Sequence, residues 1–126
     1  MELSFFPPYL ESIAGQANLL FRPPYGSYND HVQEVARELG FTLVNWSIDP
    51  KDWDHRNPDT VYSTIMNEAH DGAIIVLHDI HESTADAMER VIPVLLANGY
   101  QLVTVSELLY HRNVPITPGA VIKHGN

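Results

Sequence analysis

The chain has 126 residues, of which 44% are hydrophobic and 18% charged, a balance that suits one folded domain and argues against disorder. Seven basic against sixteen acidic residues give a net charge of -9, which repels phosphate backbones and makes nucleic acid a poor partner. Without cysteine, disulfides and thiolate metal sites are excluded. The first residues carry an acid and two prolines where a signal peptide needs basic and apolar residues, so no signal peptide is predicted.

Short apolar runs alternate with amphipathic stretches, a pattern typical of βα units arranged around a parallel sheet. We therefore expect an α/β fold of about four such units. The predicted strands are Leu19–Phe21, Thr42–Trp46, Ala73–Leu77 and Leu102–Val105.

The stretches between these strands have apolar residues at helical spacing. Gly40 and Gly72 suit the left-handed turn that ends a helix, and Pro93 is expected to kink the third helix. Residues 111–126, with prolines and glycines from Val114 onward, are expected to form a tail packed on the outside. The predicted helices are Asp30–Leu39, one starting at Pro58, one starting at Ser83 or Thr84, and a short one starting at Ser106.

Polar residues follow three of the predicted strands. Arg22 follows the first, residues 49–53 follow the second, and His78 follows the third. Because the loops after parallel strands gather at one end of a sheet, these residues are expected to line one rim. Taken alone, a strand-end histidine or an arginine before two prolines is more often structural, and the case for a site depends on their combination.

Three short motifs resemble those of a known family. They are R-P-P-Y-G at Arg22–Gly26, D-P-K-D-W at Asp49–Trp53 and L-H-D at Leu77–Asp79. In this order and spacing they resemble the third, fourth and fifth motifs of the NodB-homology polysaccharide deacetylases, carbohydrate esterase family four. The resemblance covers about residues 9–110, is strongest to the peptidoglycan N-acetylglucosamine deacetylases, and implies part of a distorted β/α barrel within a single partial domain, 1–126.

The resemblance also implies roles for individual residues. His78 is expected to be the general acid and Asp49 the carboxylate that orients it, since a neighbouring negative charge favours imidazolium. The alternative for Asp49 is a cap on backbone amides of its own loop. Arg22 is expected to pair with the aspartate base of the family, and Tyr25 to stabilise the oxyanion through its backbone N–H. The expected substrate-binding residues are Trp53 and Leu77, as apolar walls for the acetyl methyl group, and Pro24.

Two motifs of the family are expected before residue 22 and do not fit there. They supply the catalytic base and the metal ligands, and no two of the seven histidines are four residues apart. The divalent metal that the family implies, usually zinc, is therefore expected to have no ligands in this chain. The missing N-terminal half of the domain becomes the expected partner, and exposed barrel edges are also expected to favour self-association.

The leading hypothesis is metal-dependent hydrolysis of N-acetyl groups from N-acetylglucosamine residues of a cell-wall polysaccharide, peptidoglycan or chitin-like. The chain would carry the general acid, act outside the cell or at the cell wall, and be inactive without the other half. One alternative is a polysaccharide O-acetyl esterase acting on xylan, and another is an inactive half-barrel that binds glycan or has a structural role. A metal-binding module built on His78, Asp79 and His81 is the least favoured.

Overall fold

The structure, a computed structural model, describes residues 19–126, so residues 9–18 of the predicted family match lie outside the described part. The chain divides into two compact units. The first contains residues 19–45 together with Pro115–Ile122, and the second contains Trp46–Val114 together with Lys123–Asn126.

The first unit contains a sheet of three parallel strands, which are β1 at Leu20–Phe21, β2 at Thr42–Val44 and β3 at Val121–Ile122. Their order in the sheet is β1-β2-β3. Helix α1, Asp30–Leu39, connects β1 to β2 and completes one βα unit. The helix starts where Asn29 accepts a hydrogen bond from the Val32 amide at 2.9 Å, and it ends at Gly40, which has a φ of 82°.

A small apolar core holds α1 against this sheet. Its buried residues are Ala36 from the helix, Phe41 from the turn after it, and Leu43 from the central strand. Phe21 meets Phe41 edge to face with ring centroids 6.4 Å apart, which joins β1 to the same core. The end of β1, and the loop that follows it, are thereby fixed relative to β2.

The second unit is mainly helical and is built around the packing of helix α2, Pro58–Glu68, against helix α3, Glu82–Ala97. Apolar side chains from these two helices form the buried core of the unit. Leu77 is half-buried and packs against this core. Pro93 lies inside α3, which continues for another turn to Ala97. The helices are α2 at Pro58–Glu68, α3 at Glu82–Ala97 and α4 at Val105–His111, and the buried core residues are Val61, Ile65, Ala87, Val91 and Leu95.

The two strands predicted after β2, Ala73–Leu77 and Leu102–Val105, do not form continuous strands, so these predictions are wrong. Residues 73–77 make only two isolated bridges, Ile48 with Ile75 in parallel and Ala73 with His124 in antiparallel. Residues 102–104 are irregular, and Leu102 is 50% exposed. An extended segment becomes a strand only where a second segment accepts and donates its backbone hydrogen bonds, and sequence periodicity does not supply that partner.

Within the predicted C-terminal tail, residues 121–122 form β3 and pair with β2. Gly119 N–H donates to Phe41 O at 2.8 Å just before the strand, so the tail is anchored through its backbone. The α/β class and the parallel sheet are confirmed. Within residues 19–126, no helix has the length and apolar character needed to cross a membrane.

Candidate active site

His78 and Asp52 form a pair in the second unit. Asp52 has no exposed side-chain surface, whereas the imidazole of His78 is 41% exposed. The imidazole Nδ1 lies 2.8 Å from Asp52 Oδ1, and the backbone N–H of His78 donates to Asp52 Oδ2 at 2.7 Å. The carboxylate therefore holds both the ring and the backbone of the residue predicted to be the general acid.

The contacts of Asp52 set its charge. Burial by itself would raise the pKa of Asp52, but the hydrogen bonds from the His78 ring, the His78 amide and the Thr84 hydroxyl together hold that pKa below its usual value. Asp52 is therefore ionised at neutral pH and can only accept hydrogen bonds. The Nδ1 of His78 must then carry a proton, which leaves Nε2 as the ring nitrogen that does not face the carboxylate.

The prediction that Asp49 orients His78 is wrong, because that contact belongs to Asp52. Asp49 instead accepts a hydrogen bond from the Lys51 amide at 2.9 Å and braces its own loop. Lys51 has a φ of 53°, so the chain turns sharply after Pro50 and presents Asp52 to His78. Two residues, Pro50 and Lys51, separate the two aspartates, and the turn between them decides which one reaches the imidazole.

The predicted apolar walls of the second unit differ in exposure. Trp53 follows the buried Asp52 directly and is 51% exposed, so its indole offers a large apolar surface to solvent. Leu77 precedes His78 and is half-buried, with part of its surface against the helical core. Both flank the Asp52 and His78 pair in sequence, and a role for either one in binding substrate stays a prediction.

In the first unit, the loop after β1 is held by its backbone. Arg22 Nε donates to Val44 O at 3.2 Å, which ties the loop to the end of β2. Pro23 is buried and Pro24 is exposed at the start of a single 3-10 turn, Pro24–Gly26. The turn is closed by hydrogen bonds from Gly26 N to Pro23 O at 2.9 Å and from Ser27 N to Pro24 O at 3.1 Å.

Tyr25 is the strained residue of this loop. Its φ of 58° and ψ of 14° lie in the left-handed region, which a bulky residue seldom adopts, and its side chain is 99% exposed. An exposed ring gains no burial that would offset this strain. Strain of this kind persists only where the surroundings impose it, and it is most common at functional sites. The geometry thus marks the backbone of Tyr25, rather than its phenol group, as the feature that this loop preserves.

Asn45 is a residue at this loop that the sequence did not single out. It lies directly after β2, is 6% exposed, and its Nδ2 donates to Gly26 O at 3.0 Å. Its Oδ1 has no hydrogen-bond partner within the described residues. A polar residue that ends a buried strand, beside a loop with two prolines and a glycine, is the sequence signal that could have identified it.

Within residues 19–126, no group of three His, Asp or Glu side chains is placed so that it could hold a metal ion. The arrangement of His78, Asp79 and His81 considered above is therefore not formed, and the Nδ1 of His78 faces Asp52 instead. By themselves, the described residues do not fit the metal site that the family implies.

Comparison with known proteins gives a consistent answer. The family model for polysaccharide deacetylase matches residues 6–44. The chain is 43% identical over 99 residues to the peptidoglycan-N-acetylmuramic acid deacetylase PdaC of Bacillus subtilis (strain 168), a match that covers 79% of this chain and 21% of the relative. It is 41% identical over 87 residues to the peptidoglycan-N-acetylglucosamine deacetylase PgdA of Listeria monocytogenes (strain 10403S), which covers 69% of this chain and 18% of the relative.

Solved structures agree with these sequence matches. The structure of PdaC from Bacillus subtilis superposes with a TM-score of 0.76 at 39% identity, over 85% of this chain and 52% of that one. A family 4 acetyl xylan esterase from Clostridium thermocellum, solved in complex with a cobalt ion, gives a TM-score of 0.82 at 26% identity, over 94% of this chain and 58% of that one. The chain thus spans little more than half of each solved relative.

The chain belongs to the polysaccharide deacetylase family, carbohydrate esterase family four, and its fold is part of the α/β barrel of that family. The resemblance inferred from the three motifs is confirmed.

Proposed function

We propose that this chain provides the general acid for hydrolytic deacetylation of N-acetylglucosamine residues in a cell-wall polysaccharide. The observation that carries the proposal is the pair of a buried, ionised Asp52 and a partly exposed His78, joined through Nδ1 at 2.8 Å. A general acid for amide hydrolysis must hold a proton on an accessible atom and give it to the leaving nitrogen. With Nδ1 engaged by the carboxylate, the exposed Nε2 of His78 meets this need.

The other candidate residues have supporting roles in this proposal. Arg22 is anchored through Nε to the Val44 carbonyl, and we assign it the pairing with the aspartate base that lies outside this chain. We assign stabilisation of the oxyanion to the backbone N–H of Tyr25, which the left-handed turn fixes in direction. Trp53, Leu77 and Pro24 are proposed to contact the substrate, with Trp53 as the largest exposed apolar surface of the three.

The proposal includes a partner. The described residues hold no group of three metal ligands, so the aspartate base and the divalent metal, usually zinc, are assigned to the N-terminal half of the domain. The chain alone is proposed to be inactive, to act when assembled with that half, and to self-associate when the half is absent. Since its relatives are named for peptidoglycan, we place its action at the cell wall or outside the cell.

Removal of His78 tests this assignment. In the domain assembled from this chain and the N-terminal half, with zinc, we expect His78→Ala to lower the turnover of an N-acetylglucosamine oligomer about 10²-fold or more, as loss of a general acid should. Bound zinc should be unchanged. The matched control is His81→Ala, three residues away, because the side chain of His81 makes no capping hydrogen bond at the start of α3. Equal losses in the two variants, or loss of zinc in His78→Ala, would contradict the assignment.

O-deacetylation is the second candidate activity, because the acetyl xylan esterase is structurally similar over 94% of this chain. Both reactions use the same acid, so substitutions do not separate them. The assembled domain should release acetate faster from the N-acetylglucosamine oligomer than from acetylated xylan, and the reverse order would favour the esterase. No release from either substrate, with zinc bound, would favour a glycan-binding or structural role.

A further inference from the structure

Thr84 completes the surroundings of the Asp52 carboxylate. It lies in the first turn of α3, is 4% exposed, and its hydroxyl donates to Asp52 Oδ2 at 2.8 Å. The same oxygen accepts the His78 amide at 2.7 Å, while the other oxygen faces Nδ1 of His78 at 2.8 Å. The carboxylate cannot rotate about its terminal bond without breaking at least one of these contacts.

The Thr84 hydroxyl makes a contact outside its own helix. A threonine at the start of a helix commonly hydrogen-bonds to the backbone of its own helix. The hydroxyl of Thr84 donates instead to a side chain 32 residues earlier in the chain. The N-cap of this helix, His81, has no side-chain capping hydrogen bond, so the helix start is not optimised for its own stability. The contact with Asp52 is therefore not a helix cap.

We propose that Thr84 is a positioning residue for the deacetylation reaction, because its hydroxyl fixes the rotation of the Asp52 carboxylate and thereby the orientation of His78. The inference rests on the proposed function of His78 as the acid and adds the residue that sets the acid's direction. Thr84 acts through Asp52 alone. With Oδ2 occupied by two donors, Oδ1 remains for Nδ1, and Nε2 points away from the carboxylate.

The charge of Asp52 supports this role. The titratable group that acts on Asp52 is His78, and the Thr84 hydroxyl adds to the two hydrogen bonds from His78 that keep the pKa of Asp52 low despite burial. Loss of that hydroxyl removes one of three donors and should move the pKa of Asp52 upward. The carboxylate would then hold the imidazole less firmly.

A purely structural role must be separated from this one, because Thr84 is buried beside the α2 and α3 core. The test compares Thr84→Val, which keeps the branched shape and loses the hydroxyl, with Thr84→Ser, which keeps the hydroxyl and loses the methyl group. In the assembled domain with zinc, we expect Thr84→Val to lower kcat about tenfold with little change in KM, and Thr84→Ser to stay within about threefold of the parent. Similar kcat losses in both variants would overturn the proposal.

A second readout does not depend on activity. Carbon-13 NMR titration of the Asp52 carboxyl group in this chain should show a higher pKa in Thr84→Val than in the parent, and a pKa near that of the parent in Thr84→Ser. An unchanged pKa in Thr84→Val would overturn the positioning role even if His78 is the acid. If the assembled domain proves inactive, the proposed function fails, and the titration still decides whether Thr84 holds the carboxylate.

Folding of the variants does not limit the test. If Thr84→Val fails to fold, the hydroxyl proton of Thr84 in the parent chain gives the answer, because a buried hydroxyl bonded to a carboxylate exchanges slowly with water. A resolved hydroxyl resonance with cross-peaks to His78 supports the proposal. Fast exchange with water, in a folded parent chain, would overturn it.

Discussion

The candidate residues of the two units are positioned by different means. In the second unit, Asp52 and His78 are held through side-chain atoms, with a buried carboxylate at the centre. In the first unit, Tyr25 is held through its backbone, in a left-handed turn whose ring is 99% exposed. The Asp52 and His78 pair of the second unit should therefore respond to a change of a single side-chain atom. The Tyr25 turn of the first unit should respond mainly to a change in backbone preference.

The two units also differ in the source of the free-energy cost of their candidate residues. Burying an ionised carboxylate requires that donors replace its lost water, and Asp52 obtains three of them from two residues. Holding a tyrosine at positive φ costs on the order of 1 kcal/mol and needs a rigid frame, which Pro23 and the bond from Asn45 to Gly26 O provide. The hydrogen bonds offset the first cost, whereas burial of the ring does not offset the second, and both arrangements are expected where function requires a fixed geometry.

The largest effect on stability is expected at Asp52. Asp52→Asn keeps the shape but presents an amide N–H₂ group to donors that need an acceptor, so we expect the free energy of unfolding to fall by about 2 kcal/mol. The measurement is urea unfolding of this chain at neutral pH. Asp49→Asn is the matched control, because it removes the same charge three residues away and an amide oxygen can still accept from the Lys51 amide. We expect that variant to lie within about 0.5 kcal/mol of the parent.

The difference in stability between the parent and Asp52→Asn should depend on pH. Because the folded pKa of Asp52 is below its usual value of 3.8, its contribution to stability is present above that value and is lost as the pH falls through the folded pKa. The difference between the parent and Asp52→Asn should therefore shrink in acid. A difference that stays constant from pH 7 to pH 3 would mean that the carboxylate charge is not what stabilises the pair.

A smaller effect is expected at Tyr25 and depends on the backbone. Tyr25→Val introduces a β-branched residue at a φ of 58°, and we expect it to lower the free energy of unfolding by about 1 kcal/mol. Tyr25→Gly should change it by less than about 0.5 kcal/mol, since relief of strain offsets the chain entropy of glycine. Thermal unfolding of both variants checks this. If Tyr25→Gly is the more damaging change, the exposed ring makes a contribution that the geometry does not account for.

Helices were more predictable from the sequence than strands. Asn29 and Gly40 mark the ends of α1 through local chemistry, since one accepts an amide hydrogen bond and the other adopts positive φ. The segment 73–77 has the composition of a strand but makes only isolated bridges, because pairing depends on distant residues. The two-residue β3 is too short to give a periodic signal.

For the candidate site, the sequence identified the motif but not which of its two aspartates contacts His78. Both aspartates lie in the same five-residue motif, and the choice between them depends on the turn at Lys51. An aspartate directly before proline often starts a turn, and this signal could have assigned Asp49 to the loop. Thr84 gave no comparable signal, because a threonine at a helix start is ordinary and its partner is 32 residues away.

The tautomer of His78 tests the central claim most directly, because the account requires the ionised Asp52 to keep a proton on Nδ1. Nitrogen-15 NMR of the imidazole, in this chain with His78 in its neutral form, distinguishes a proton on Nδ1 from one on Nε2. We predict the Nδ1–H form in the parent and in Asp49→Asn, and loss of this preference in Asp52→Asn. A neutral His78 with its proton on Nε2 in the parent would contradict the Asp52 contact and the role assigned to His78.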